Sequence, residues 1–406
     1  MHHSRKSAGG AHRRRTPRRL LISIGLVVAF VMTTAGAYAA VGPTIHHTGS
    51  PLAAGCSAEE CEDEETPSAE PAPSHDSKRP RARRSHLPPA GGKVSPTPKQ
   101  PVSNGTEFSP YVDVLQYSES DLKEVRNAGI KHLNLAFIIS GNGCTPAWDG
   151  QVGVDDASVK SKVAAYRAAG GQVRVSFGGE SGTELAASCS SAEELAAAYQ
   201  SVIDAYDLTR VDFDVEGGVL SDSASVDRRS QAIAIIERTA SSAGKTLDVS
   251  VTLPVNPTGL TGDGVSLLNS AAGNGATIHA VNVMAMDFGE SAAPDPDGRM
   301  GYYAIESMKG TQKQVKSAFG LSESAAWSRV AVTTLIGVNE PSTEVFTASD
   351  AAQLSAFARS RGAAWTSFWQ LARDQPCSDG AEANASSDSC SGASDSKYHL
   401  ARSFLG

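Results

Sequence analysis

Residues Leu208 to Gly218 read L-T-R-V-D-F-D-V-E-G-G. Asp212, Asp214 and Glu216 alternate with Val211, Phe213 and Val215. Successive side chains of a strand point to opposite faces, so the three acids share one face and the three apolar residues the other. Val-Phe-Val has to pack on a second layer. In a parallel barrel that layer is the surrounding ring of helices, and the carboxylates then turn into the barrel. Three neighbouring carboxylates in a confined site repel one another, and at least one is expected to hold its proton above the usual range. Such an arrangement costs stability, which points to chemistry. Taken alone, the spacing also fits a half-exposed strand with an acidic face.

The flanking chain favours the barrel. From Phe108 onward, short apolar strands alternate with amphipathic helices. The expected strands are Tyr111–Leu115, His132–Ile139, Gln172–Phe177, Arg210–Glu216, Leu247–Leu253, His279–Met286, Val330–Ile336 and Ala364–Trp369. The expected helices open at Ser118 or Ser120, then cover Ala157–Ala169, Ser190–Ala205, Val226–Ala243, Gly264–Ala272, Ile305–Phe319, Ser349–Arg361 and Ser396–Phe404. Eight β–α alternations in roughly 300 residues predict an α/β fold of the (β/α)8 TIM-barrel type. An open doubly wound sheet is the alternative, but no Gly-rich phosphate turn of the expected spacing is present, and Gly178-Gly179 does not supply it.

The N-terminal quarter reads differently. Residues 1–39 form an expected export signal: a basic region ending at Arg18-Arg19, an apolar run from Leu20 to about Ala35, and a small-x-small site at Ala37-Tyr38-Ala39. An uncleaved membrane anchor is the alternative, and the paired arginines loosely fit a twin-arginine signal. Residues 40–106 show no hydrophobic period. They hold an acidic cluster within Cys56–Glu65, a basic one at Lys78–Arg84 and recurring prolines, nine of them between residues 67 and 101. Such a segment buries too little apolar surface to offset ordering entropy and is expected to be a disordered linker. The catalytic-type domain is therefore placed at 107–406.

The chain has 406 residues and a formal net charge of −8; without the seven Lys and Arg of residues 1–39 it would be −15. A body that acidic repels phosphate backbones, which argues against nucleic acid. The six cysteines lack C-x-x-C or His company, which argues against a zinc site. In an exported chain they suggest disulfides, and the expected pairs are Cys56–Cys61, Cys144–Cys189 and Cys377–Cys390.

Barrel active sites sit at the C-terminal ends of the strands. Glu216, Asp287, Trp369, and Ser176 with Gly178-Gly179 all fall there. On four features the chain resembles the family 18 glycoside hydrolases, the chitinase-like barrels: S-F-G-G at Ser176–Gly179, D-F-D-V-E at Asp212–Glu216, M-A-M-D at Met284–Asp287, and Trp369. The likeness runs from Phe108 to about Phe404, nearest to the bacterial and archaeal branch reading V-N-V-M-x-M-D on strand six. It departs from the wider family at Thr209, where a further Asp often stands, and at Met286, where a Tyr often holds the substrate acetamide oxygen. Tyr111 or Tyr117 is a possible substitute.

The resemblance implies a secreted, monomeric chitinase acting on chitin or N-acetylglucosamine oligosaccharides without metal or organic cofactor. It would use substrate-assisted retaining hydrolysis, with the sugar's own acetamide oxygen as nucleophile. Glu216 would be general acid and then base, Asp214 would orient the acetamide, and Asp212 would share a proton with Asp214. Asp287 would bind sugar and polarise the surroundings of Glu216. Trp369 would floor the site, with Met284, Met286, Ser176, Gly178, Gly179 and Tyr111 lining it. Trp148 either stacks on a further sugar or caps its loop. Bland readings stand beside these: Trp369 as core, Ser176 as a strand-end hydrogen bond, Gly178-Gly179 as a tight turn, and Arg174 as a buried charge partner. Rival functions are an endo-β-N-acetylglucosaminidase acting on N-glycans and a non-catalytic sugar-binding barrel.

Overall fold

The computed structural model describes residues 106–378, 380 and 382–406. The export signal, the linker up to residue 105 and the Cys56–Cys61 bridge lie outside the described residues. What is described is a (β/α)8 barrel. Its strands are β1, in two pieces (Glu107–Phe108 and Tyr111–Asp113), β2 (His132–Asn142), β3 (Gln172–Gly178), β4 (Arg210–Asp214), β5 (Asp248–Asn256), β6 (Ala280–Met284), β7 (Val330–Leu335) and β8 (Trp365–Trp369). The helices that follow them in turn are α1 (Glu119–Asn127), α2 (Ala157–Ala168), α3 (Ala192–Ala205), α4 (Ser223–Ser242), α5 (Gly262–Gly273), α6 (Met300–Ala318), α7 (Ala348–Arg361) and α8 (His399–Leu405).

The sheet runs β8-β7-β6-β5-β4-β3-β2, every pair parallel. The divided first strand closes it: Glu107 and Phe108 pair with Trp365 and Thr366 on β8, and Tyr111–Asp113 pair with Asn134–Ala136 on β2. One short segment thus bridges the first and last walls, with Ser109-Pro110 as the step between them.

The alternation in β4 sorts as its sequence dictates. Val211, Phe213 and Val215 are fully buried under the helices. Phe213 stacks on Phe177 of β3 at 5.3 Å and meets Tyr199 of α3 at 4.8 Å. Burying one such aromatic contributes about 1.5–3 kcal/mol. Arg174 is a buried charge partner, as its reading allowed: it lies toward the other end of the barrel, pairs with Asp248 at 3.4 Å, and sets its guanidinium 3.9 Å over the Trp365 ring.

Most helix starts carry their own caps. Ser118 and Asp121 form a capping box on α1, and Thr347 and Asp350 form one on α7. The helix expected at Ile305 starts earlier, at Met300, without a side-chain cap of its own. Its Gly301 N–H donates instead to Asp350 Oδ1 at 2.8 Å, a cap from another helix that no local pattern shows. Buried Asp374 accepts from Leu400 N–H, Ala401 N–H and Ser394 Oγ, and so fixes the start of α8. Cys144–Cys189 ties the strand Thr145–Trp148 to the segment after β3, and Cys377–Cys390 closes a loop after β8.

Candidate active site

A cavity of about 960 Å³ opens at the C-terminal ends of the strands. Asp214, Glu216, Asp287, Trp369, Met284, Met286 and Tyr111 line it, seven of the twelve residues expected there. β4 itself ends at Asp214, two residues short of the expectation. Val215 N–H still donates to Thr252 carbonyl O, after which Gly217 (φ 59°) turns the chain and leaves Glu216 projecting at the mouth.

Asp212 lies one step deeper, 1% exposed. Ser176 Oγ (2.7 Å) and Tyr111 Oη (3.0 Å) donate to its Oδ2, and Ser250 Oγ (2.6 Å) donates to its Oδ1. Thr252 Oγ1 lies 2.9 Å and 3.0 Å from its two oxygens. These neighbours come from β1, β3 and β5, each a hydroxyl facing into the barrel. Hydroxyls thus surround both oxygens of Asp212. Ser176 acts through Asp212 and does not line the cavity.

Asp214 is 4% exposed, and its Oδ1 has no hydrogen-bond partner among the described residues. Burial first, then the charges of Glu216 and Asp212, push its carboxyl well above the usual range. Burial, followed by Glu180, pushes Glu216 up to about 7. Burial and the two aspartates also raise Tyr111, which keeps its proton as a donor.

The glycines serve close approach. A Cβ on Gly178 (φ +100°) would sit 2.0 Å from the Asp214 carbonyl oxygen, and one on Gly179 (φ +94°) 2.9 Å from the Phe137 ring. Gly179 N–H donates to that same carbonyl at 3.1 Å. These residues hold the backbone of β4 in place and do not line the cavity. Trp369 lines the cavity, where it stacks on Phe137 at 5.4 Å with planes 17° apart; Tyr111 tilts against both at 5.9 Å. Trp148 is corrected: it is fully buried, and its Nε1–H donates to Tyr206 Oη at 2.8 Å. Asp287 sits at the rim, where its Oδ1 accepts from Glu340 N–H at 2.8 Å and its own N–H donates to Asn339 Oδ1 at 3.3 Å. Its hydrogen-bond partners thus lie on the segment after β7, not on Glu216. Tyr117 does not line the cavity.

Glu180 and Phe137 are among the lining residues that escaped the sequence reading. Glu180 follows Gly179 directly and was within reach of the same motif. Phe137 was not: the register of β2 against β3 shifts between Leu135 and Ile138, so both Ala136 and Phe137 reach the cavity and strict alternation fails.

The site thus joins two carboxyls with raised proton affinity to an aromatic surface at the C-terminal mouth of a (β/α)8 barrel, an arrangement suited to acid–base chemistry on a sugar. No family model matches the chain. It is 34% identical over 277 residues to the "Probable bifunctional chitinase/lysozyme" of Escherichia coli (strain K12), covering 66% of this chain and 31% of that protein. It is 33% identical over 275 residues to "Endochitinase 11" of Metarhizium anisopliae, covering 66% and 52% respectively. The chain thus spans about a third and about half of the length of these two relatives. The catalytic domain of a hyperthermophilic chitinase from Pyrococcus furiosus superposes with a TM-score of 0.65 at 29% identity, over 74% of this chain and 94% of that one. Over its barrel the chain is thus similar in sequence and fold to these chitinases, in line with the resemblance to the family 18 glycoside hydrolases.

Proposed function

We propose that this barrel hydrolyses β-1,4 bonds between N-acetylglucosamine units of chitin by substrate-assisted, retaining catalysis. The observation that carries the reading is Glu216 held at about 7 in the same cavity as a buried Asp214 whose Oδ1 has no hydrogen-bond partner among the described residues. A general acid works best with a pKa near the operating pH. The names of the Escherichia and Metarhizium relatives and of the Pyrococcus domain support the substrate class.

In the first step the acetamide oxygen of the sugar over Trp369 forms a bond to the anomeric carbon. The glycosidic C–O bond breaks, and the Glu216 proton goes to the departing oxygen. Asp214 Oδ1 accepts the acetamide N–H and aims the carbonyl at that carbon. In the second step Glu216, now a carboxylate, takes a proton from water. The water oxygen bonds to the anomeric carbon and the oxazolinium ring opens, which restores both acid and acetamide. Phe137 and Trp369 give the sugar an apolar platform.

The chain is exported and acts outside the cell as a monomer, on this reading. Disulfides Cys144–Cys189 and Cys377–Cys390 suit an oxidising compartment and support it. N-terminal sequencing of protein recovered from culture medium tests export, with a start at Ala40 expected and a start within residues 1–19 contrary to it. Light scattering tests the monomer. The activity is tested by release of chromophore from a di-N-acetylchitobioside and of sugars from chitin oligosaccharides. Turnover of both supports the reading. Turnover only of high-mannose glycopeptides would replace it with N-glycan cleavage, and binding without turnover would replace it with a lectin.

A further inference from the structure

The far wall of the cavity holds polar groups that the mechanism above does not use. Gln370 and Arg373 follow β8 and are joined by a short 3-10 turn, Leu371–Arg373, with Arg373 N–H donating to Gln370 carbonyl O at 3.0 Å. Both side chains line the same cavity as Asp214 and Trp369, yet each is only 2% exposed. Arg373 is held by Ile336 carbonyl O (3.0 Å), Val338 carbonyl O (2.8 Å) and Ser386 Oγ (3.2 Å). Ser386 and Asp388, also on this wall, sit in the loop closed by Cys377–Cys390. Two atoms are left over. Gln370 Oε1, an acceptor, and Arg373 Nε, a donor, have no hydrogen-bond partner among the described residues.

A buried donor and a buried acceptor without partners are uncommon, because each forfeits its hydration without return. In a 3-10 turn residues three apart lie on one side, so the two groups belong to one patch. That patch wants a ligand group presenting one donor and one acceptor. An acetamide offers its N–H to Gln370 and its carbonyl to Arg373. A free amino group, an ammonium near neutral pH, offers only donors and would meet the guanidinium charge. The terminal torsion of glutamine is broad, so a small rotation brings Oε1 to the cavity surface.

We propose that Gln370 and Arg373 form a second acetamide-recognition point, distinct from Asp214, that selects an N-acetylated over a de-N-acetylated sugar next to the unit seated on Trp369. This inference rests on the proposed glycosidase reading and deepens it. It makes this wall a specificity determinant for the acetylation pattern of the polymer.

The test uses the full chain with the fully N-acetylated pentasaccharide and with partly deacetylated chitosan oligomers, whose products are sequenced by mass spectrometry. Wild type is expected to require acetylation at two positions around the cut, one served by Asp214 and one by Gln370. Gln370→Met keeps the length and removes the acceptor. It should abolish the second requirement and lower kcat/KM on the acetylated substrate about tenfold, mostly through KM. Gln370→Glu keeps an oxygen within reach and should retain the preference. If Gln370→Met fails to fold, Gln370→Asn, which draws the amide back by one methylene, takes its place with the same expectation.

An unchanged second preference in the Met or Asn variant overturns the inference and leaves the glycosidase reading intact. So does an equal fall of kcat on every substrate, which is a purely structural effect. Wild type that cuts none of these substrates overturns both.

Discussion

Tyr111 Oη donates to Asp212 Oδ2 at 3.0 Å across 101 residues of chain, and so joins the strand that closes the barrel to the deepest acid of the site. Thr252 Oγ1 lies 3.0 Å from the same phenol oxygen. Tyr111→Phe keeps the ring and removes the hydroxyl. With Asp212 and Thr252 each left short of a partner, unfolding in urea should show a loss of about 1–3 kcal/mol. Activity should fall as well, because Asp212 sits directly below Asp214 and its charge is one of the causes that raise the Asp214 carboxyl. An unchanged midpoint and unchanged turnover would show that the Tyr111–Asp212 contact is idle.

The pH profile follows from Glu216. Its folded-state pKa, about 7, lies above its ordinary 4.5, so the protonated form is favoured by folding. The general acid is present below about 7 and is lost as pH rises through that value, so kcat/KM should show an alkaline limb near 7. Stability carries the same sign. The folded state binds more protons than the unfolded one between 4.5 and about 7, so unfolding free energy should decline across that window as pH rises. Glu180 is the second cause of the shift, and Glu180→Gln should move the alkaline limb to lower pH. A limb that stays in place removes Glu180 from the account.

The segment behind Glu180 is clamped by charge. Arg229 of α4 meets Glu184 at 2.5 Å, with both side chains at 5% exposure or less. Arg229→Met leaves Glu184 buried and unpaired, which should cost about 3–5 kcal/mol in chemical denaturation. The double variant Glu184→Leu, Arg229→Met should recover much of that loss, because no charge remains stranded. Equal losses in single and double variants would mean that packing, not pairing, holds this segment.

Gly178→Ala forces a Cβ onto the Asp214 carbonyl oxygen and keeps a left-handed φ, so both stability and turnover should fall sharply. Gly262→Ala, at the first position of α5 with nothing within 4 Å of the added Cβ, is the matched control. It should be neutral or stabilising by up to about 1 kcal/mol. Thermal melts and initial rates on the chitobioside separate the two.

The barrel was legible in the sequence because its signals are local. Strand alternation, helical period and self-capping starts such as Ser118 put every barrel strand and every helix within a few residues of its place. The site was legible where period and strand end coincide, as at Asp214, Glu216, Asp287 and Trp369. It failed where tertiary structure decides. Trp148 carries the composition of a sugar-stacking residue, but the strand Thr145–Trp148 turns it under α3 toward Tyr206. Phe137 enters through a register shift that breaks the alternation. Asp212 and Asp214 look equivalent in sequence, and only the hydroxyls of β1, β3 and β5 make one a hydrogen-bonded hub and leave the other with an oxygen that has no partner among the described residues. Gln370 and Arg373 lie beyond the last strand, where no periodicity applies.

The central claim is that Glu216 supplies the proton that breaks the glycosidic bond. Its most direct test is kcat/KM on N-acetylated chitin oligosaccharides for the full chain and for Glu216→Gln, with oligosaccharide binding measured on the same samples. A loss of about 10²–10⁴-fold with binding and melting temperature retained is the predicted result. Turnover undiminished in the Gln variant would contradict the account and move the acid to another residue of the cavity.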